Sequence, residues 1–407
     1  MTPRPERAGF APERLARIDQ HLLQRYIEPG KIAGALTAVY RKGELAWLSP
    51  VGLADREAGA PMREDTIFRI YSMTKPITSV ALMTLFEEGQ FQLEDPVERW
   101  IPEWKDRQVY VAGNHPQFAM RPAETRMTVR HLLSHTAGLT YGFMERTNVD
   151  RAYRKLGIGT FGKGPSGDLR EMIELLAELP LEFSPGTAWN YSVATDVCGY
   201  LVERMTGQRF DDFLRERIFE PLGMEDTGFY VPEAKAGRFA ASYTRGAKKE
   251  LLRMDDPRTS AYLRSPRFLG GGGGLVSTAH DYLRFCRMLL GGGELDGARI
   301  LSRRTLELMT SNHLPGGRDL SETSVGMFSE VAQAGTGFGL GFSVLLDPVR
   351  SGGGSAGSYA WGGAASTIFW VDPREELVVV FLTQLFPSRT FDFRGQLRAI
   401  VYGARAD

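Results

Sequence analysis

Ser72-Met73-Thr74-Lys75-Pro76-Ile77-Thr78-Ser79-Val80-Ala81-Leu82-Met83-Thr84-Leu85-Phe86-Glu87-Glu88-Gly89 reads as a helix with apolar residues nearly all the way round. A helix of that pattern is buried on every side. Pro76 falls in its first turn, where a missing N–H costs little. Gly89 is a natural C-cap. The helix therefore runs through the middle of the molecule, and it opens with Ser72 and Lys75. Residues three apart share a helix face, so the Lys75 amine reaches the Ser72 hydroxyl. Burial disfavours an ammonium, and a neutral amine can take the serine proton and free a nucleophile. The helix N-terminus also favours a developing oxyanion. A Ser and a Lys three apart are a weak signal alone, since exposed helix starts carry such pairs by chance. Here the pair occurs once in the chain, and it opens the most apolar helix.

The flanks suggest what surrounds this helix. Residues 13–28 are an amphipathic helix pattern, with Leu15, Ile18, Leu22 and Leu23 on one side. Gly34–Tyr40 and Leu45–Val51 are β-like runs around the turn signal Arg41-Lys42-Gly43-Glu44, and predict a strand pair at one edge of a sheet. From 90 to 269 the pattern is mostly helices and loops, with helices at 127–136, 168–178, 193–206 and 210–219 and an irregular insertion at 104–126. Gly270–Gly274 lacks a following Lys-Ser/Thr, so it is no phosphate loop; it reads as a flexible bend. Helices near 278–290 and 302–311 follow. Then come strands at Phe338–Leu346, Ala364–Val371 and Glu376–Thr383 and a last helix at 389–403. Strands near both ends and helices between them predict an α+β fold. Residues 1–75 and 270–407 form a discontinuous sheet domain, residues 76–269 an inserted, mainly helical domain, and the site lies at their interface.

Composition narrows the function classes. The chain has 407 residues, 43% hydrophobic, with 49 basic and 49 acidic side chains. That balance gives no electrostatic reason to expect nucleic acid or an anionic membrane. Cys198 and Cys286 sit in apolar helical contexts and read as buried free thiols. The first residues lack an apolar signal region, and no run approaches a membrane span, so a cytoplasmic location is expected. No cofactor is expected, and oligomeric state is not legible.

Two further elements can carry chemistry. Tyr191, in Trp189-Asn190-Tyr191-Ser192-Val193, stands just before a helix. A phenol near a lysine cation can act as base and later as acid, although a lone Tyr of this kind is more often core. Trp361-Gly362-Gly363 directly precedes the predicted strand at 364. Its glycines let backbone approach a ligand, and the next N–H could join that of Ser72 as an oxyanion hole. A bulge at the strand start explains the glycines equally well.

Together, Ser72-x-x-Lys75, Tyr191-Ser192 and Trp361-Gly362-Gly363 resemble the serine β-lactamase and penicillin-recognising superfamily. In particular they resemble the class C β-lactamases and family VIII carboxylesterases, over nearly the whole chain. Arg130–Leu139 looks like that superfamily's helix-and-turn segment, and Gly274–Thr278 like its return to the sheet. The resemblance implies an antiparallel sheet flanked by helices. It also implies Ser72 as nucleophile, Lys75 and Tyr191 as proton-transfer partners, and the N–H groups of Ser72 and Ala364 as oxyanion hole. Tyr141, Trp361, Gly362 and Gly363 would contact substrate. Val193 stands where β-lactamases of this type have Asn, and Trp361 where they have Lys. Loss of those polar groups points to a small neutral ester, with short to medium acyl chains, in place of a β-lactam. Rival readings are a β-lactamase or D-amino-acid peptidase, an acyltransferase, and a binding or sensor protein on the same scaffold.

Two motifs point elsewhere. Gly353-Gly354-Ser355-Ala356-Gly357 matches the nucleophile elbow of α/β-hydrolases, which needs a strand before and a helix after. Ser355 instead lies in a glycine-rich loop ahead of a strand, and no histidine follows His313. His131 and His135 have the spacing of two metal ligands on a helix, but Leu132 stands where a catalytic Glu would be. A capping or core role is expected for both, and no metal site.

Overall fold

Strand β1 (Gly34–Arg41) is buried along its whole length, because both of its faces are covered. It forms a hairpin with β2 (Glu44–Asp55) through Lys42 and Gly43, both in the left-handed region at φ 51° and 82°. Two such residues make the turn whose twist matches that of paired strands. On its other side β1 pairs with β8 (Leu377–Thr383), Ala35 opposite Thr383. The computed structural model that shows this describes residues 2–160, 167–326 and 333–407.

Among the described residues the sheet has eight strands, completed by β3 (Ala60–Pro61), β4 (Thr336–Phe338), β5 (Ser343–Leu345), β6 (Tyr359–Gly363) and β7 (Thr367–Asp372), in the order β4-β5-β6-β7-β8-β1-β2-β3. All neighbours are antiparallel. The β1–β2 pair lies at one end, with only the two-residue β3 outside it.

Side-chain alternation assigns each face. Leu36 and Ala38 of β1, Val378 and Val380 of β8, Phe369 of β7 and Trp361 of β6 join the larger core. That core contains helices α1 (Thr74–Glu87), α2 (Ala194–Thr206) and α3 (Ala279–Leu290). Ala35 and Val39, Val379 and Phe381, Ile368 and Trp370, and Ala360 face the other way. They pack against the N-terminal helical segment from Pro12 to Ile27 and helix α4 (Phe393–Gly403). This is the β-lactamase-like arrangement of an antiparallel sheet between helical layers. Helix α1 is buried from Thr74 to Leu85, as its sequence requires. Cys198 and Cys286 are buried free thiols in α2 and α3. Among the described residues no helix is long and apolar enough to cross a membrane.

Several local expectations are corrected. The insertion at 104–126 contains a hairpin, Gln108–Asn114 with Gln117–Pro122. Its strands are largely solvated, so no in/out alternation marks them. The stretch from 90 to 269 holds another strand pair, Ser242–Arg245 with Leu251–Asp255. That stretch also holds a helix not predicted above, Asn148–Lys155, capped by Thr147; its residues 161–166 lie outside the described residues. Phe338–Leu346 is two strands, broken where Gly341 adopts φ +94° against Ser79. Trp361-Gly362-Gly363 ends β6; a turn at 364–366 follows, and β7 begins at Thr367. His131 and His135 do not share a helix: it ends at Leu133, and His135 has φ +56°.

Candidate active site

Helix α1 is entered through a 3₁₀ turn, Tyr71–Met73. Tyr71 holds φ +43°, which residues with a Cβ seldom adopt, and this sets Ser72 at the mouth of the helix. The turn is anchored from two sides. Tyr282 of α3 donates its hydroxyl to the Met73 carbonyl at 2.9 Å, and the Leu275 N–H donates to the Thr74 hydroxyl at 3.2 Å. Ser72 is half-buried, while Lys75, one helical turn on, is only 1% exposed.

Lys75 is the centre of the cluster. Its Nζ donates to the Gly272 carbonyl at 2.6 Å and lies 3.4 Å from Ser72 Oγ. It also sits 4.4 Å from the Tyr191 ring centroid and 5.1 Å from that of Tyr141. The two tyrosine rings are 5.1 Å apart. Tyr191 precedes α2, which packs on α1, so two buried helices bring the serine, the lysine and the phenol together.

The third predicted element arrives on β6. A Cβ on Gly363 would lie 2.3 Å from the Ile70 carbonyl, so only glycine allows this approach. Ala364, the next residue, thereby comes beside the segment that carries Ser72. The Trp361 ring is wholly enclosed, 5.4 Å from that of Tyr191 and 5.3 Å from that of Phe338. Its position in the structure is that of a packing partner behind Tyr191, not of an open pocket wall.

Two residues escaped the sequence reading. Asp196, in the first turn of α2, is buried, and its carboxylate accepts the Gly272 N–H at 2.9 Å. Gly272 thus links the carboxylate, through its N–H, to the Lys75 amine, through its carbonyl. Burial pushes the Asp196 carboxyl above its ordinary value, opposed by Lys75 and by that N–H. Gly272 itself was read as part of a flexible bend. A Cβ there would meet Asp196 Oδ2 at 2.6 Å and Tyr141 Oη at 2.7 Å, so the glycine run is a close-packed wall of the site. An Asp in an apolar stretch, Val193-Ala194-Thr195-Asp196-Val197-Cys198, was the available signal. A first-turn acid also suits the helix dipole, which hid it.

Burial also shapes the neighbours. It raises the Tyr141 phenol well above its ordinary value, with Asp196 and Tyr191 adding to the effect. It holds the His135 imidazole well below its own, and Lys75 adds to that. His135 packs in the core, 5.1 Å from Tyr191, while His131 caps its own helix with Thr128. Ser355 lies away from this cluster, in a loop between a short helix, Pro348–Ser351, and β6.

Residues 20–402 match the Beta-lactamase family model. The chain belongs to the β-lactamase family. Among relatives in that family, an uncharacterized protein of Mycobacterium tuberculosis is 38% identical, over 92% of this chain and 91% of its own. Esterase EstB of Burkholderia gladioli is 35% identical over the same shares of the two chains. The solved structure of EstCE1, a hydrolase with promiscuous acyltransferase activity, superposes with a TM-score of 0.79. It has 28% identity and covers 97% of this chain and 99% of its own.

Proposed function

We propose that this chain is a family VIII-type carboxylesterase that works through an acyl-enzyme on Ser72. The observation that carries the reading is the position of Lys75 Nζ, within reach of Ser72 Oγ and over the Tyr191 ring. The similarity to the Burkholderia esterase and to the hydrolase EstCE1 supports the reaction class.

Ser72 Oγ attacks the ester carbonyl as the Lys75–Tyr191 pair takes its proton. The N–H groups of Ser72 and Ala364 receive the oxyanion. The alcohol leaves with a proton from the pair, and water activated by the same pair releases the acid. Lys75 Nζ and Ser72 Oγ are 3.4 Å apart, a contact that tightens as the reaction begins. Asp196 acts through Gly272, whose carbonyl fixes the amine. Tyr141, Gly362 and Gly363 line the substrate, and Trp361 supports the ring of Tyr191. Val193 and Trp361 leave this region without the Asn and Lys of the related β-lactamases, which favours uncharged esters of short to medium acyl chains. The division into a sheet unit, 1–75 with 270–407, and an inserted unit, 76–269, belongs to the same proposal.

The test is hydrolysis of p-nitrophenyl acetate, butyrate and octanoate by wild type and Ser72→Ala, with intact mass during turnover. Turnover lost in the variant, with an acyl adduct on the Ser72 peptide, supports the reading. Turnover that survives Ser72→Ala refutes it. The promiscuous acyltransferase activity of EstCE1 favours a second reading, transfer of the acyl group to an alcohol. New ester formed when alcohols are added to the assay identifies it.

A further inference from the structure

The face of the sheet turned away from Ser72 holds a cavity of about 400 Å³. Its floor is mixed: Leu345 of β5, Ala360 of β6 and Ile368 of β7 form an apolar strip among the hydroxyls of Thr336, Ser343, Ser358, Ser366 and Thr367. Its wall is cationic, from Arg389, Arg394 and Arg398 at and before helix α4. Alternation separates it from the site above: Ala360 and Ile368 point towards α4, whereas Trp361 and Phe369 point towards α1. The volume is within the range of small-molecule pockets, about 300–1,000 Å³.

Arg398 is the informative wall residue. Its side chain is half-buried, and among the described residues it makes one long hydrogen bond, 3.4 Å, to the Gly353 carbonyl. Asp372 and Asp392 lie near enough to act on its charge, but among the described residues no carboxylate is within ion-pair distance of it. Asp372 is engaged by the Tyr402 hydroxyl, and Asp392 accepts the Gly395 N–H at 2.9 Å. Burial draws the Arg398 pKa down, the direction expected of a cation short of a counter-charge. A cation that has lost part of its hydration gains from an anion, and a guanidinium meets a carboxylate with two parallel hydrogen bonds.

We propose that this cavity is a second binding site, for a small carboxylate with an aliphatic tail. The carboxylate pairs with Arg398, with Arg394 and Arg389 at the rim, and the tail lies on Leu345, Ala360 and Ile368. Asp392, the acidic lining residue, excludes ligands of higher negative charge. Strands β6 and β7 run from this floor into the turn that carries Ala364. Ser366 and Thr367 line the cavity, and the Thr367 hydroxyl also donates to the Ile70 carbonyl at 3.4 Å. A bound acid therefore touches, from behind, the strands that frame Ser72. The site stands without the ester reading, because its test is binding.

Calorimetric titration with octanoate, octanol and inorganic phosphate separates the contributions. Wild type is expected to bind octanoate at least tenfold more tightly than either octanol or phosphate. Arg398→Met and Ala360→Leu, the second filling the floor, are each expected to weaken octanoate at least tenfold while leaving the KM for p-nitrophenyl butyrate unchanged. Ala360→Leu keeps the test open if Arg398→Met fails to fold. Octanoate affinity that survives both substitutions would place the acid elsewhere and overturn the proposal. Equal binding of octanol would remove the role of Arg398, and equal binding of phosphate that of the apolar strip; either result also overturns it.

Discussion

Ser72 and Ser355 both stand in short motifs that elsewhere mark nucleophiles, and the fold treats them in opposite ways. Ser72 stands in the turn that leads into a fourteen-residue buried helix, with Lys75 Nζ 3.4 Å away and Tyr191 beyond it. Ser355 lies in a loop where Gly352, Gly353, Gly354 and Gly357 all take positive φ. A short helix precedes that loop and a strand follows it, the reverse of the strand–turn–helix elbow. Both serines are near backbone glycines, so the glycines do not distinguish them. What does is the set of side chains that non-local packing brings to the hydroxyl.

The comparison breaks most sharply at Ser72 itself. Ser72→Ala is expected to lower kcat for p-nitrophenyl esters by about 10⁴-fold or more, measured by steady-state kinetics. Tyr191→Phe keeps the ring over Lys75 and removes only the hydroxyl, so kcat should fall by roughly 10²–10⁴-fold. Asp196→Asn loosens the grip on Gly272 and misplaces the amine. A kcat loss on the order of 10²-fold with KM little changed is expected, and an unchanged kcat would reduce Asp196 to a structural residue.

A smaller effect concerns stability. His135 is held neutral by burial and by Lys75, so its folded pKa is below the ordinary 6.5. As pH falls below 6.5 the unfolded chain takes up a proton that the folded one refuses, and stability drops. The slope is at most about 1.4 kcal/mol per pH unit from this group. Urea melts of wild type and His135→Gln between pH 7 and pH 5 should show a flatter decline in the variant. The smallest effect completes the contrast: Ser355→Ala should leave kcat unchanged and stability within about 1 kcal/mol. A large loss of activity there would erase the distinction between the two serines.

The parts of this site visible in the sequence are those set by local geometry. Ser72 and Lys75 are three apart on a helix, and the pattern from Ile77 to Phe86 shows that the helix is buried. Asp196 and Gly272 were not visible, because their hydrogen bond joins residues 76 apart in sequence, and either alone has an ordinary explanation. The fold divides similarly. Strands covered on both faces, such as Leu377–Thr383, announce themselves as β-branched runs. The hairpin at 108–122 is wetted on both sides and carries no such alternation. The glycines at 339 and 341 cut one predicted strand in two, for tight passages against the Met309 carbonyl and against Ser79 that only the assembled molecule reveals.

The pairing of β1 with β8 has a consequence for biosynthesis. Ala35 finds Thr383 only after nearly the whole chain has left the ribosome. At ~5–20 residues per second, the N-terminal hairpin waits roughly 20–70 s with one edge open. Such an edge is a template for pairing with a neighbouring nascent chain. Expression at lower temperature or with more chaperone should therefore raise the soluble yield of this protein more than that of one whose sheet closes early.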